Sequence, residues 1–414
     1  MRVLGAALYR MMSKNFKHLV LALAAVVVVV VFLGGFAPAG VSSNPVGNAY
    51  QQMGVYEEVF QKIQNDYVTV PNLADVTTGA LHGLLEALDP DSAYLTPAEY
   101  KQYLAHQNDG QAQVGMTVSE RGGYPVVVAV EPNSPAAKQK IQGGDMIDAI
   151  NGQSAYNMSV AMVRLLLRGQ PGSKIELRMI RAQSILPVDL TMTRVIDAPP
   201  PILTKEYANN TILYIKPYAL TTPRVYQVIA LLRGLNKRGN TKVLLDLRDV
   251  ALGSEADGIR MANAFFRSGK LASLYGQTIP TQTFNAKSAD FVTSAPLVVL
   301  VNRSTSGAAE IVAGAVLDRK RGDVVGDPTF GEGAVVKTIT LPDGAAMLLT
   351  IGKYETPNGT KIEDKAILPN YLVNESINSY LAEEGELPAS QKKTSIQDDQ
   401  LDKGLSLLEN WKTA

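Results

Sequence analysis

Hydrophobic positions along the chain follow several distinct rhythms. From Leu19 to Phe36 the residues are uninterruptedly apolar, with six consecutive valines from Val26 to Val31. Between Tyr50 and His106 apolar residues return at helical spacing, as in Val55, Val59 and Ile63, then Leu81, Leu84, Leu85 and Leu88. Thr96-Pro97-Ala98-Glu99 carries a capping box with proline in the first turn, so a helix starts there. Over 111–195 the period shortens. Val114–Val118, Tyr124–Val130, Met146–Ile150 and Lys174–Met179 read as strands, with a short helix capped near Ser134 and an amphipathic helix from Ser159 to Leu167. From Thr211 strands and helices alternate. Ile212–Ile215, Lys242–Leu247 and Pro296–Asn302 are strands, while Thr222–Leu235 and Ala256–Arg267 are helices. That order predicts a layered α/β core. Further strands fall in 323–352, with Leu341-Pro342-Asp343-Gly344 as a hairpin turn, and a polar tail from about 386 closes on a short helix at 399–408.

The apolar run is close to the roughly 20 residues that span a bilayer. Arg2, Arg10, Lys14 and Lys17 precede it and no charge follows until Glu57, which orients the rest of the chain outside the cytoplasm. Its length favours a retained inner-membrane anchor with a periplasmic body. Ala37-Pro38-Ala39 before Gly40 leaves open a cleaved signal segment and a secreted periplasmic protein. The expected division is therefore an anchor or signal segment over 1–39, a helical region over 40–110, the β-rich module over 111–195, the α/β core over 196–385 and the tail over 386–414.

Charge and composition narrow the chemistry. The 39 basic and 39 acidic residues balance, which gives no footprint for nucleic acid. Cysteine is absent, removing disulfides, thiol catalysis and thiolate metal sites. His18, His82 and His106 lie far apart in sequence and suggest no shared site, and no cofactor or metal is expected.

Several segments carry a resemblance. Residues 302–310 read N-R-S-T-S-G-A-A-E and 329–333 read T-F-G-E-G. L-D-P-D-S-A-Y-L stands at 88–95, R-G-Q-P-G-S at 168–173, V-V-G-D-P-T-F-G at 324–331 and Y-E-T-P-N-G at 354–359. Together these resemble the carboxyl-terminal processing (tail-specific) serine peptidases, whose corresponding segments read N-x-x-S-A-S-A-S-E, T-F-G-K-G and LDPHSxYL. The resemblance spans nearly all of 50–410. It implies a multidomain α/β protein with a ClpP/crotonase-like layered core, a β-sandwich-like PDZ domain over 111–195 and N-terminal helices, together with the one transmembrane segment read above. It also implies serine-type proteolysis near protein C-termini.

The chain departs from that pattern where the chemistry sits. Laid on it without a gap, the nucleophile is Gly307, the general base is Glu332 and the orienting amide is Val336. Glycine has no side chain to attack a carbonyl, so no acyl-enzyme can form at Gly307. The family's R-N-N-P-G-G loop is here Arg248-Asp249-Val250-Ala251-Leu252-Gly253, and Leu252 should narrow the approach of a substrate strand. Ser304, Thr305 and Ser306 are expected to cap the helix that follows, and Lys337 to face away from Glu332. A site rewired through Ser304, Ser306 or Lys337 is the alternative to an inactive one. Asp318 is expected to be structural, paired with an arginine.

A PDZ module binds by strand addition, with backbone N–H groups holding the terminal carboxylate of a peptide. The expected peptide-binding residues are Val114, Gly115, Met116, Thr117, Val118 and Arg168. The expected role is a noncatalytic, membrane-tethered regulator or scaffold that takes peptide or protein C-termini. It would assemble as a homodimer or with an active paralogue.

Overall fold

A computed structural model describes residues 45–181, 186–196, 200–235, 237, 239–374 and 398–411. The apolar run and the Ala39–Gly40 junction lie outside the described residues. Among those described, no helix is long and apolar enough to cross a membrane. The chain divides into two units, 1–76 and 77–414. The first carries α1 (Pro45–Asp66), a helix with exposed Tyr50, Met53, Val55, Tyr56 and Val59, and the opening turn of α2 (Leu73–Glu86).

The second unit begins with β1 (Ala93–Leu95) and α3 (Pro97–His106). The expected capping box is present. The Thr96 hydroxyl accepts from the Glu99 N–H at 3.3 Å and the Glu99 carboxylate accepts from the Thr96 N–H at 2.8 Å.

The β-rich module follows with β2 (Met116–Arg121), β3 (Tyr124–Val130), α4 (Pro135–Lys138), β4 (Met146–Ile150), β5 (Gln153–Ser154), α5 (Val160–Leu167), β6 (Lys174–Ile180) and β7 (Pro187–Thr193). Its sheet runs β2-β3-β4-β6-β7, antiparallel throughout, so β2 is an edge strand. Val118, Val127, Ile147, Val163, Leu166 and Leu177 fill the core between sheet and helix. Buried Arg194 holds the last turn of α5, donating to Leu166 O at 2.7 Å and Leu167 O at 3.1 Å, so the helix C-terminus is satisfied by a cation.

The remaining elements build two further sheets. In chain order they are β8 (Leu203–Tyr207), β9 (Ile212–Lys216), α6 (Thr222–Arg233), β10 (Lys242–Asp246), α7 (Glu255–Asn263), β11 (Lys270–Tyr275), β12 (Gln282–Asn285), β13 (Leu297–Val301), α8 (Ala308–Asp318), β14 (Asp323–Gly326), β15 (Ala334–Thr340), β16 (Ala346–Glu355), α9 (Ile362–Lys365), β17 (Tyr371–Leu372) and α10 (Asp399–Glu409). One sheet has the order β17-β14-β13-β10-β9-β8, parallel except where β8 joins β9. Side chains alternate across it as strand periodicity requires. Leu213, Val243, Leu245, Val299 and Val324 face α6, α7 and α8, whereas Ile212, Tyr214, Leu244, Val298 and Val325 face α10. The other sheet pairs β1, β16, β11 and β12, with β15 on β16. Thr350 bonds Ser92 Oγ at 3.1 Å and Asp89 at 2.9 Å, which fastens the 88–95 segment to β16.

A buried ionic group anchors α10. Arg248 bridges Asp246 at 2.7 Å and Asp398, the α10 N-cap, at 2.7 Å, and Tyr214 donates to Asp246 at 2.7 Å. Burial alone would raise the Asp246 carboxyl. Lys216 and Arg248, with the Arg248 and Tyr214 hydrogen bonds, outweigh it and hold the group well below the usual carboxylate range. A carboxyl depressed in the folded state stabilises above its unfolded pKa of about 3.9, and that contribution is lost as pH falls through the lower folded value. Arg248→Met should therefore cost about 3 kcal/mol at pH 7 in urea denaturation, because Asp246 is left buried without its main partner. The same variant should show a shallower loss of stability below about pH 4 than the parent chain.

Candidate functional site

Gly307 stands at the N-terminus of α8 with φ 58° and ψ −115°, a left-handed backbone that glycine adopts without strain. A Cβ built there meets nothing within 4 Å, so the place of a side chain is open and empty. The preceding hydroxyls do not cap α8, contrary to expectation. The Thr305 hydroxyl accepts from the Asn302 N–H at 2.9 Å and lies 2.9 Å from Leu247 O, while Ser306 Oγ donates to Glu332 at 2.5 Å. The helix is closed instead by Glu310, whose carboxylate accepts from the Gly307 N–H at 3.0 Å.

Glu310 is fully buried and joins two loops. Besides Gly307 it accepts from the N–H of Gly331 and of Glu332, each at 2.8 Å, and from the Thr329 hydroxyl. One oxygen, Oε2, is shared by the N–H groups of Gly307 and Glu332, so these two positions, far apart in sequence, sit side by side. Burial pushes the Glu310 carboxyl up to about 8, against the pull of its four donors.

The Glu332 side chain is occupied. Its Oε2 takes the Ser306 hydroxyl and its Oε1 takes the Arg164 guanidinium at 2.7 Å. Arg164 lies on α5 of the β-rich module. It also reaches Asp91 at 3.4 Å and donates twice to Val118 O, at 3.1 and 3.2 Å. Burial raises the carboxyls of Asp91, Glu255 and Glu363, the last to about 7. Among the described residues no group of His, Asp or Glu side chains could hold a metal ion.

The other sequence-derived positions are placed as follows. Val336 and Lys337 are both exposed on β15, where a bulge between Val335 and Val336 interrupts the alternation. Ser304 borders a cleft of about 410 Å³, which Ile141 and Gly143 share with Lys216, Asn302 and Arg303. Asp318 accepts from the backbone N–H of Asn358 at 2.8 Å, so its partner is a loop amide and not the expected arginine. In the 248–253 loop, Val250 O accepts from the Ser306 N–H at 3.0 Å and Leu252 O from the Leu220 N–H at 2.7 Å.

Strand β2 is the sheet edge and α5 packs beside it, the two elements between which a peptide is expected. Val114 O and Gly115 O are taken by the N–H groups of Ala136 and Glu131, each at 2.9 Å. Gly115 has φ 78°, and a Cβ there would fall 2.2 Å from Ser134 Cβ, so close packing alone requires this glycine. Met116 and Val118 are buried, Thr117 is partly exposed, and Arg168 is exposed at the C-terminal end of α5. Sequence reasoning passed over Arg164, which reads as the solvent side of an amphipathic helix. Its one signal is that it is the lone charge in V-A-M-V-R-L-L-L, where six of the other seven residues are buried.

A layered α/β core with a loop-closed helix N-terminus, joined to an edge-strand-and-helix module, defines a PDZ-bearing serine-peptidase fold. Family models agree on both parts. Peptidase family S41 matches residues 211–373 and the PDZ domain matches 126–181. The carboxyl-terminal-processing protease of Picosynechococcus sp. is 30% identical over 299 residues, covering 71% of this chain and 72% of that protein. The carboxy-terminal-processing protease of Bartonella bacilliformis is 28% identical over 342 residues, covering 81% and 78%. The solved structure of a photosystem II D1 C-terminal processing protease superposes with a TM-score of 0.62 at 24% identity, covering 78% of this chain and 93% of that one. The chain belongs to the carboxyl-terminal-processing proteases of peptidase family S41.

Glu310 provides a direct check on how the site is held. In Glu310→Gln an amide NH2 replaces one oxygen and confronts donors it cannot accept from. Compared above about pH 8, where the parent Glu310 carboxylate is ionised, that variant should lose about 2 kcal/mol in denaturant unfolding, and amide hydrogen exchange should quicken at Gly307, Gly331 and Glu332 together.

Proposed function

We propose that this chain is a noncatalytic member of its family that binds peptide and protein C-termini. In this reading the run from Leu19 to Phe36 tethers it to the membrane with its body on the periplasmic side. The observation that carries the proposal is the pair Gly307 and Glu332. The first offers no nucleophile, and the second is a carboxylate engaged by Ser306 and Arg164 where the family pattern has a lysine. Acyl transfer needs an attacking group and a free base within reach of it. Neither is present at those positions.

One observation favours a second reading. Ser306 Oγ touches Glu332, as a nucleophile would touch a base. Against it, Ser306 is only 1% exposed, and the other Glu332 oxygen is engaged by the Arg164 guanidinium.

The test is covalent labelling of the purified full chain with a fluorophosphonate, alongside incubation with unfolded β-casein. The expected result is no label and no turnover, together with binding of fluorescent peptides that end in apolar residues, weakened when the terminus is amidated. Cleavage that persists and disappears in Ser306→Ala would establish the rewired peptidase instead. Gly307→Ser with Glu332→Lys supplies a positive comparison. Because the new lysine faces Arg164, labelling of that pair should rise several-fold on adding Arg164→Gln.

A further inference from the structure

The groove of this PDZ domain is not simply open. Strand pairing repeats every two residues, so backbone groups facing a partner on the β2 edge recur at Met116 and Val118. A peptide whose carboxylate meets the Val114–Met116 turn lays its last residue beside Met116 and its antepenultimate residue beside Val118. The antepenultimate N–H then needs Val118 O as acceptor. In the structure that oxygen already takes two hydrogen bonds from Arg164, at 3.1 and 3.2 Å.

A ligand must therefore displace the guanidinium, and the side chain it places there decides the cost. Side chains two apart on a strand share a face, and because Arg164 of α5 already reaches Val118 O, an antepenultimate side chain beside Val118 comes within reach of that guanidinium. Arg164 projects from that helix and is 36% exposed at its side chain. Its resting partners are Glu332 and Asp91, both carboxylates. An apolar or basic antepenultimate residue would take Val118 O and return nothing to the cation. A carboxylate would replace the lost bonds with a charge-assisted pair.

We propose that the groove selects C-termini with aspartate or glutamate at the antepenultimate position, with Arg164 as the specificity-determining residue. This deepens the peptide-binding reading above and rests on it.

The experiment uses the full chain purified in detergent and fluorescence anisotropy with octapeptides that differ only at the antepenultimate residue: Glu, Gln, Ala or Lys. Each has a free valine carboxylate, with amidated versions as controls. The Glu peptide should bind roughly three- to tenfold more tightly than the Gln peptide, with Lys weakest, and the difference should shrink as salt rises. Arg164→Gln should abolish the preference while leaving affinity for the Ala peptide equal or better. Arg164→Lys, which keeps the charge but loses the planar fork, should retain a reduced preference and guards against a folding defect in the first variant. Glu332→Gln should tighten binding of the Glu peptide by releasing its competitor. Equal binding of the Glu and Gln peptides, or a preference that survives Arg164→Gln, overturns the assignment while leaving peptide binding intact. Failure of every free-carboxylate peptide to bind above its amidated control overturns the peptide-binding reading itself.

Discussion

The geometry around Gly307 depends on one buried carboxyl. Glu310 lies in the first turn of α8 and accepts hydrogen bonds from both loops that meet there, three from backbone N–H groups and one from a threonine hydroxyl. A buried acceptor with that many donors is costly to remove, because each donor would be stranded away from water. The juxtaposition of 307 and 332 is consequently maintained by the backbone and by Glu310, whatever side chains those two positions carry.

The altered positions also fit one another electrostatically. Where the family segments read LDPHSxYL and T-F-G-K-G, this chain has Asp91 and Glu332, two carboxylates, and both are in contact with Arg164. A lysine at 332 would repel that arginine, whereas a glutamate pairs with it. The Arg164–Glu332 pair is an ionic joint between the PDZ helix and the core. Ser306 completes it from the core side.

Much of this was legible in the sequence. The apolar strands of the α/β core, the Thr96 capping box, the Ser134 cap, the helix beginning near Ser159 and the 341–344 turn all depend on local pattern and appear where expected. Strands β7, β8 and β12 escaped because they lie at sheet edges, where exposed side chains dilute the alternation. Strand β11 is buried but short, and its small Ala272 and Ser273 weaken the signal. At the site, the closeness of Gly307 and Glu332 could be read from motif spacing. The partners of Glu332 could not, since Asp91, Arg164 and Ser306 come from three distant segments that only the folded chain assembles. The assignment of the 304–306 hydroxyls to helix capping failed for a related reason. Local pattern suggests a cap, but Glu332 and Leu247 compete for those hydroxyls across the fold.

The position of α10 bears on when the molecule can form during its synthesis. One face of the parallel sheet, with Ile212, Tyr214, Leu244, Val298 and Val325, is covered by a helix drawn from residues 399–409. A ribosome makes that helix well over a hundred residues after the strands carrying Tyr214 and Asp246. Until then the apolar face is open to water, and Asp246 and Arg248 await Asp398. Closure of this face therefore waits for α10, and until then the apolar strands are open to pairing elsewhere.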